Sequence, residues 1–211
     1  MRGIIFDLDG VICHTDTYHF WAWRAVAEGL NIPFDEKLNE RLRGVSRAES
    51  LEIILKSGGV SLPDSKKAAL IEEKNIIYRK FLQNITPASL DDEVKETLLL
   101  LREKGLKLAI GSSSRNAKFI LQRLGLLDFF DAISDGTNIT KSKPDPEVFL
   151  KAADLLGENP QDCLVVEDAE AGLQAAHAGG MKAAGIGTAA GNPLADYKLY
   201  NFGDLLAIAE Q

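Results

Sequence analysis

Near its start the chain has a short apolar run that ends in two aspartates with one leucine between them, Gly-Ile-Ile-Phe-Asp-Leu-Asp-Gly over residues 3–10. A continuous apolar run of this length predicts a buried strand of a parallel sheet. Residues two positions apart in an extended chain point to the same side, so Asp7 and Asp9 share a side while Leu8 turns into the core. We therefore expect both carboxylates at the carboxyl end of the strand, where open α/β sheets bind ligands. A solvated turn after an edge strand is the alternative.

The pattern then changes to helical spacing, and no convincing strand occurs between residues 15 and 85. Prolines and glycines separate the helical stretches. Helices are predicted over residues 17–30, 35–43, 46–57 and 64–84. A block of helices that follows the first strand and precedes the second predicts an inserted domain, with residues 11–16 as the linker into it.

From residue 91 onwards, helical stretches alternate with short apolar runs, which is typical of a parallel sheet covered by helices on both faces. The predicted strands are residues 106–110, 130–134, 163–166 and 183–186, and the predicted helices are residues 92–104, 115–124, 146–156 and 170–178. The sequence therefore predicts an α/β fold with a Rossmann-like parallel sheet core. Residues 1–14 and 86–211 would form this core, and residues 15–85 would form an inserted all-helical cap domain.

Composition and charge narrow the class of protein. A chain of 211 residues with 45% apolar residues is long enough for a full core. Its 24 basic and 31 acidic side chains give a net charge of −7, which argues against nucleic-acid binding as a main task. The sequence has no apolar stretch of about 18 residues and no leader pattern, so we expect neither a membrane span nor a signal peptide. Cys13 and Cys163 lie in or beside apolar runs, which indicates buried free thiols and a cytoplasmic location.

Polar residues follow several predicted strands at the ends that a parallel sheet places on one rim. Asp7 and Asp9 follow the first strand, and Ser112 follows the second. Glu167 and Asp168 follow the strand at residues 163–166. Lys143 lies in a loop before a helix and could reach the same rim. Several acids together suit a hard cation such as Mg²⁺, which prefers oxygen ligands. A lysine and a hydroxyl beside that cation suit a phosphoryl group, which an aspartate could attack as nucleophile.

Each of these residues has a plainer interpretation when it is taken alone. Ser112 could cap the following helix. Lys143 could be a solvated loop residue, and Glu167 and Asp168 could be favoured by a helix N-terminus. Only the combination, in this chain order, is specific.

The combination resembles the haloacid dehalogenase superfamily. The segments that match its four motifs in order are Asp7-Leu8-Asp9-Gly10-Val11, Ser112, Lys143-Pro144 and Glu167-Asp168. The resemblance implies that Asp7 is the nucleophile and a metal ligand. It implies that Asp9 is the general acid/base and gives its backbone carbonyl to the metal. An aspartate at position 9 is typical of the phosphatases and mutases of the superfamily.

The same resemblance implies roles for the remaining residues of the rim. Ser112 and Lys143 would hold the phosphoryl group that is transferred. Asp168, with Glu167 near it, would complete a magnesium site, and which of these two carboxylates binds the metal directly stays open. The expected cofactor is therefore Mg²⁺.

The predicted cap carries candidate residues of its own. His19 and Trp23 are four residues apart and share a helix face, where they could contact a substrate or pack in the core of the cap. Gly44 would let the backbone approach a ligand, and Ser46 could cap a helix. Arg47 near that helix start would suit an anion, although a capped helix with a solvated arginine has the same pattern.

Four segments make the resemblance narrower, since they are similar to the β-phosphoglucomutase family. They are His19-Phe20-x-x-Trp23, Gly44-Val45-Ser46-Arg47-x-x-Ser50, Lys74-Asn75-x-x-Tyr78 and Ser112-x-Ser114-x-Asn116. By this resemblance His19 assists Asp9, Arg47 binds the phosphate that is not transferred, and Lys74 reaches the sugar. The residues implied to line the sugar site are Trp23, Gly44, Val45, Ser46 and Ser50. Ser114 and Asn116 would complete the distal phosphate site.

The implied reaction converts β-glucose 1-phosphate to glucose 6-phosphate through an aspartyl-phosphate and a β-glucose 1,6-bisphosphate, which also serves as primer. A sugar-phosphate phosphatase of the same superfamily is the alternative. A non-catalytic metabolite-binding module is more remote, because it would be expected to lack Asp7, Asp9 or Lys143. The expected partners are small sugar phosphates, and we expect a monomer. Two departures from the family pattern are His14, where relatives often have an aspartate, and the loop at residues 135–138.

Overall fold

A computed structural model describes residues 1–42 and 45–210 of the chain. Its strands form one six-stranded sheet in the order β3-β2-β1-β4-β5-β6, and every neighbouring pair is parallel. The strands are β1 (Gly3–Phe6), β2 (Lys107–Gly111), β3 (Ala132–Ser134), β4 (Cys163–Glu167), β5 (Lys182–Gly185) and β6 (Tyr197–Lys198). The predicted parallel sheet is confirmed.

The described part of the chain also contains nine α-helices. They are α1 (Asp16–Gly29), α2 (Glu36–Glu40), α3 (Arg47–Ser57), α4 (Asp64–Leu82), α5 (Asp92–Glu103), α6 (Ala117–Leu124), α7 (Glu147–Leu156), α8 (Glu170–Ala178) and α9 (Leu205–Ile208). Among these described helices, none combines the length and the apolar character needed to cross a bilayer.

Two apolar clusters cover the two faces of the sheet. Ile4 and Phe6 of β1 belong to one cluster with residues of α5 and α6, whereas Ile5 belongs to the other with residues of α7 and α8. Strands β1 and β4 are buried along their whole lengths. Successive side chains of a strand point to opposite faces, so a strand buried on both faces must be apolar throughout. This is the physical reason for the continuous apolar run at the start of the chain.

Helices α1 to α4 lie between β1 and β2 in the sequence, as predicted. They enclose a third apolar cluster, which includes Trp23, Val26 and Ile54. Tyr78 and Leu82 of α4 instead belong to the cluster that contains Ile4 and Phe6. Helix α4 therefore packs both on the other helices of residues 15–85, which we call the helical segment, and on the sheet. The proposed division of the chain into two domains stays a prediction.

The structure differs from the predicted elements mainly at their ends. Strand β3 begins at Ala132, because Phe129 and Phe130 lie in a turn where their rings meet edge to face, 5.4 Å apart. Helix α6 begins at Ala117, since the residues before it form a loop. Strand β6 and helix α9 were not predicted, because elements of two and four residues are too short for a periodic pattern.

Arg123 joins α6 to the residues that directly follow α4, where the chain returns from helices α1 to α4 to the sheet. Arg123 of α6 donates from Nε to the backbone carbonyl of Ile85 at 2.9 Å and from Nη2 to that of Gln83 at 2.8 Å. Further along the same pair of helices, the Arg79 guanidinium lies 4.8 Å from the centre of the Phe119 ring. These contacts join α4 to the sheet side of the protein.

Replacing Arg123 with alanine tests this junction. Arg123→Ala removes two hydrogen bonds from a charged donor, so we expect the free energy of unfolding to fall by about 1–2 kcal/mol. The measurement is urea unfolding followed by circular dichroism. Arg24→Ala is the control, because Arg24 makes an exposed ion pair with Glu28 within α1, which contributes about 0.3–0.5 kcal/mol. Equal losses in the two variants would contradict a special role for the junction.

Candidate active site

Polar side chains from adjacent strands meet at the carboxyl edge of the sheet. Phe6 of β1 is in register with Val166 of β4, so Asp7 and Glu167 emerge next to each other. The Asp7 amide also donates to the Val166 carbonyl at 2.9 Å, which extends the pairing by one step. Ser112 follows β2 on the other side of β1 and is buried. The parallel register therefore places these side chains together, as the sequence predicts.

Lys143 is the buried cation of this edge, with 2% of its surface exposed. Its Nζ donates to Asp7 Oδ1 at 2.5 Å and also to Glu167 Oε1. Burial alone would lower the pKa of Lys143, but the Asp7 and Glu167 carboxylates outweigh it and raise that pKa above its ordinary value. Lys143 is therefore charged, and the interpretation of it as a solvated loop lysine is wrong.

Glu167 has hydrogen bonds at both of its carboxylate oxygens. Oε1 accepts from Lys143, and Oε2 accepts from the backbone amides of Asp168 at 3.0 Å and Ala169 at 3.1 Å. Burial raises the pKa of Glu167 to about 7, although the Lys143 charge acts in the opposite direction. These contacts orient Glu167 from within the protein.

Three buried carboxylates form a candidate cation site. Asp7, Glu167 and Asp168 each offer an oxygen, and these oxygens lie within 4.8 Å of one another. A buried set of oxygen donors suits Mg²⁺. Gly10 keeps this site open, because a Cβ at position 10 would lie 2.1 Å from Asp168 Oδ2, and its φ of +88° also favours glycine.

Asp9 lies beside this cluster and faces the helical segment. It accepts a hydrogen bond from the Thr15 hydroxyl, and its Oδ2 is 4.0 Å from His19 Nε2. Burial and the neighbouring Asp7 raise the pKa of Asp9 to about 7, and the Thr15 hydrogen bond limits the rise. A carboxyl group with such a pKa can take up and release a proton near neutral pH.

His19 is held by Lys74 on its other side. Lys74 is fully buried, and its Nζ lies within hydrogen-bonding distance of His19 Nδ1, at 2.8 Å. Burial and the nearby Lys74 and Arg47 charges lower the pKa of His19 well below its ordinary value. A neutral His19 that accepts at Nδ1 carries its proton on Nε2, the nitrogen nearest Asp9. Lys74 also lies 5.1 Å from the centre of the Trp23 ring.

Arg47 occupies the first position of α3, where Ser46 and Glu49 form a capping box. The Glu49 amide donates to Ser46 Oγ at 3.2 Å, and Glu49 Oε2 accepts from the Ser46 amide at 3.0 Å. Burial, followed by the nearby charge of Arg115, lowers the pKa of Arg47. The charges of two guanidinium groups from separate parts of the chain therefore act on each other, and an anion near Arg47 would offset their repulsion.

One cleft brings together most of the predicted site residues. Those that line it are Asp7, Asp9, His19, Trp23, Val45, Arg47, Ser50, Lys74, Ser112, Ser114, Lys143, Glu167 and Asp168. Ser46 instead caps α3, and the Asn116 side-chain amide donates to Asn75 Oδ1 of α4 at 3.1 Å. Ser112 does not cap α6, because Asn116 holds the N-cap position. Gly44 lies outside the described residues.

The cleft also contains residues that the sequence analysis did not identify. Asp16 and Asn39 line it, and Arg115 lies near Arg47. Asp16 is at the start of α1, where an acid is ordinary for a helix N-terminus. No spacing rule marks these three positions, so only the three-dimensional arrangement identifies them.

Comparisons with known proteins agree with this geometry. The sequence profile of the haloacid dehalogenase-like hydrolases matches residues 1–180. The chain is 47% identical to the β-phosphoglucomutase of Bacillus subtilis over 89% of this chain and 84% of that protein. It is 34% identical to a phosphorylated carbohydrates phosphatase of Thermotoga maritima over 86% of this chain and 83% of that protein. The crystal structure of a β-phosphoglucomutase from Clostridium difficile matches with a TM-score of 0.94 and 36% identity, covering 100% of this chain and 96% of that chain.

Thermal unfolding with and without Mg²⁺ tests the carboxylate cluster. A cation that binds only the folded state at a hundred times its dissociation constant stabilises it by about 2.7 kcal/mol, so we expect Mg²⁺ to raise the Tm. Asp168→Asn should lose most of that rise, because it removes one charge of the candidate cation site. Asp154→Asn, on the exposed side of α7, is the matched control and should keep the rise. An undiminished rise in Asp168→Asn would show that Mg²⁺ binds elsewhere.

Proposed function

Because the chain belongs to the haloacid dehalogenase-like hydrolase family, we propose that it is a phosphomutase that interconverts β-glucose 1-phosphate and glucose 6-phosphate. The observation that carries this proposal is a single cleft with two kinds of lining. Acids and a lysine from the sheet edge line one side, and a histidine, a lysine and Arg47 from the helical segment line the other. A sugar with a phosphate at each end matches this arrangement, since Lys143 on one side and Arg47 on the other can each pair with a phosphate.

Asp7 is the proposed nucleophile. Its carboxylate oxygen forms a bond to phosphorus while the bond from phosphorus to the sugar oxygen breaks, and Asp9 gives a proton to that leaving oxygen. Lys143 and Ser112 donate hydrogen bonds to the phosphoryl oxygens. A bound Mg²⁺ would neutralise charge between the carboxylates and the phosphoryl group. The product of this half-reaction is an aspartyl-phosphate at position 7.

The second half-reaction uses the same residues in reverse. A sugar hydroxyl attacks the phosphoryl group on Asp7, and Asp9 takes the hydroxyl proton. When the acceptor is the 6-hydroxyl of β-glucose 1-phosphate, the product is β-glucose 1,6-bisphosphate. The bisphosphate then reverses its orientation in the cleft, so that its 1-phosphoryl group faces Asp7. Asp7 takes up this group, and glucose 6-phosphate leaves. The same bisphosphate primes the enzyme by phosphorylating Asp7.

The proposed Mg²⁺ ligands are the side chains of Asp7 and Asp168 and the backbone carbonyl of Asp9. Glu167 is a weaker candidate for direct binding, because Lys143 and two backbone amides already occupy its oxygens. We place Glu167 beside the metal, where it orients Lys143. The hydrogen bonds of Glu167 support this assignment.

The helical segment at residues 15–85 is the proposed cap, and it decides which acceptor reaches Asp7. Closure of a cap excludes water and delivers the sugar hydroxyl. His19 presents Nε2–H towards Asp9, so closing the cap would favour the alignment of the acid/base. Trp23, Val45 and Ser50, which line the cleft, would contact the sugar.

The distal phosphate, which is not transferred, is proposed to bind Arg47. A guanidinium binds phosphate through two parallel hydrogen bonds. Arg115 lies near it, and Ser114 and Asn116 follow the same strand end. Asn116 already contacts α4 through Asn75, so it joins the phosphate site to the cap.

A sugar-phosphate phosphatase is the second candidate, since a relative with 34% identity is a phosphorylated carbohydrates phosphatase. The non-catalytic module has no support, because Asp7, Asp9 and Lys143 are all present and adjacent. We also propose that the protein is a monomer and acts in the cytoplasm. The free and buried Cys13 and Cys163 are consistent with a reducing compartment.

A product assay separates mutase from phosphatase. The protein is incubated with Mg²⁺, β-glucose 1-phosphate and a trace of β-glucose 1,6-bisphosphate, and glucose 6-phosphate and free phosphate are both followed. We expect glucose 6-phosphate to be the main product and its formation to depend on the bisphosphate. Free phosphate as the main product, with no dependence on the bisphosphate, would favour the phosphatase.

Arg47→Ala tests the distal phosphate site. Hydrogen bonds to charged groups contribute about 1.5–3 kcal/mol, so we expect the KM for β-glucose 1,6-bisphosphate to rise about tenfold or more. Phosphorylation of Asp7 by acetyl phosphate, which has no second phosphate, should change much less. Equal losses with the two phosphate donors would refute the role of Arg47.

A further inference from the structure

Tyr78 of α4 has a buried hydroxyl that connects to the active site through Thr15. The side chain is 1% exposed, and its Oη lies 2.9 Å from Thr15 Oγ1. Thr15 in turn donates to Asp9. Building on the proposed role of Asp9 as general acid/base, we propose that Tyr78 is a positioning residue that holds the Asp9 carboxylate in one orientation through Thr15.

The direction of the two hydrogen bonds follows from counting protons. The Thr15 hydroxyl has a single proton, and it uses that proton to donate a hydrogen bond to Asp9 Oδ1. Thr15 must therefore accept from the Tyr78 hydroxyl. Burial raises the pKa of Tyr78 well above its ordinary value, so this hydroxyl keeps its proton and can donate. A donor chain of this kind strengthens each of its hydrogen bonds.

Thr15 is placed for this connection and not for capping a helix. It occupies the N-cap position of α1, yet its side chain makes no capping hydrogen bond. A threonine there would ordinarily accept from a backbone amide of the first turn. The hydroxyl is instead engaged by Asp9 on the sheet side and by Tyr78 on the side of the helices.

Tyr78 also contacts the other group that faces Asp9. The centre of its ring lies 4.1 Å from that of His19 and 4.3 Å from Lys74 Nζ. The hydroxyl thus acts on Asp9 Oδ1 through Thr15, whereas His19 lies nearest Oδ2. Both oxygens of Asp9 therefore depend on where α4 lies. Movement of α4 away from Thr15 would remove the Tyr78 hydrogen bond and leave Asp9 Oδ1 held by Thr15 alone.

Tyr78→Phe removes the hydroxyl and keeps the ring on His19 and Lys74. A general acid or base contributes about 10²–10⁴-fold to a rate, and loss of its alignment should remove a part of this, about tenfold in the mutase kcat. The KM for β-glucose 1-phosphate should stay within about twofold, because Tyr78 is outside the cleft lining. The amount of free phosphate formed per glucose 6-phosphate should rise.

Tyr18→Phe is the matched control, since it removes a tyrosine hydroxyl from the same helical segment where the ring stacks on Phe81. It should leave kcat unchanged. Thr15→Val breaks the same connection from the other side, and Thr15→Ser should restore it. If Tyr78 acts through Thr15, adding Tyr78→Phe to Thr15→Val should cause no further loss. The Thr15 variants also test the inference if Tyr78→Phe fails to fold.

Two results would overturn the inference: a normal kcat in folded Tyr78→Phe, or losses that multiply in the double variant. Failure of the proposed function would look different. In that case the unaltered protein would release only free phosphate, and the comparison of Tyr78→Phe with it would be made on phosphate release.

Discussion

Much of this structure depends on one buried cation between two buried carboxylates. Lys143 contacts Asp7 and Glu167, and these residues come from a loop and from two adjacent strands. Removing one partner from such a buried ion pair typically costs 3–5 kcal/mol, because the remaining charge is left in an apolar setting. Strands β1 and β4 and the loop after β3 must therefore keep their relative positions. The sheet, packed on both faces, holds those positions while the helical segment contributes the opposite wall of the cleft.

The architecture was predictable because each buried strand has to be apolar on both faces. The runs that became β1 and β4 are continuous, and that of β2 is continuous from Leu108 onwards. Each run is followed by or ends in polar residues, so both the strand and its rim could be identified. The ends of β3 and α6 depend on packing that periodicity does not record, such as the contact between Phe6 and Phe130. Strand β6 pairs with β5 at the edge of the sheet and has two residues, which are too few to show a pattern in the sequence.

The candidate site was predictable where motifs in the sequence coincide with strand ends, as at Asp7 and Ser112. Residues whose importance depends on contacts between distant segments could not be identified from the sequence in the same way. Arg115 matters because it lies near Arg47, and Tyr78 matters because its hydroxyl reaches Thr15. Sequence spacing shows that Tyr78 follows Lys74 by four residues on one helix face, but it does not show what that face meets.

The order of the strands in the sheet has a consequence for how the chain reaches its native state during synthesis. β1 is made first, yet its partners β2 and β4 begin only at Lys107 and Cys163. Contacts between residues so distant in sequence form slowly, since a long loop must close before they give any stability. Among the helices between β1 and β2, both α1 and α3 pack on α4, so these contacts lie within residues 16–82. We therefore expect these helices to pack together on the ribosome before the partner strands of β1 have been made. An exposed apolar strand is prone to aggregate, and the newly made chain is therefore most vulnerable before residue 163 emerges.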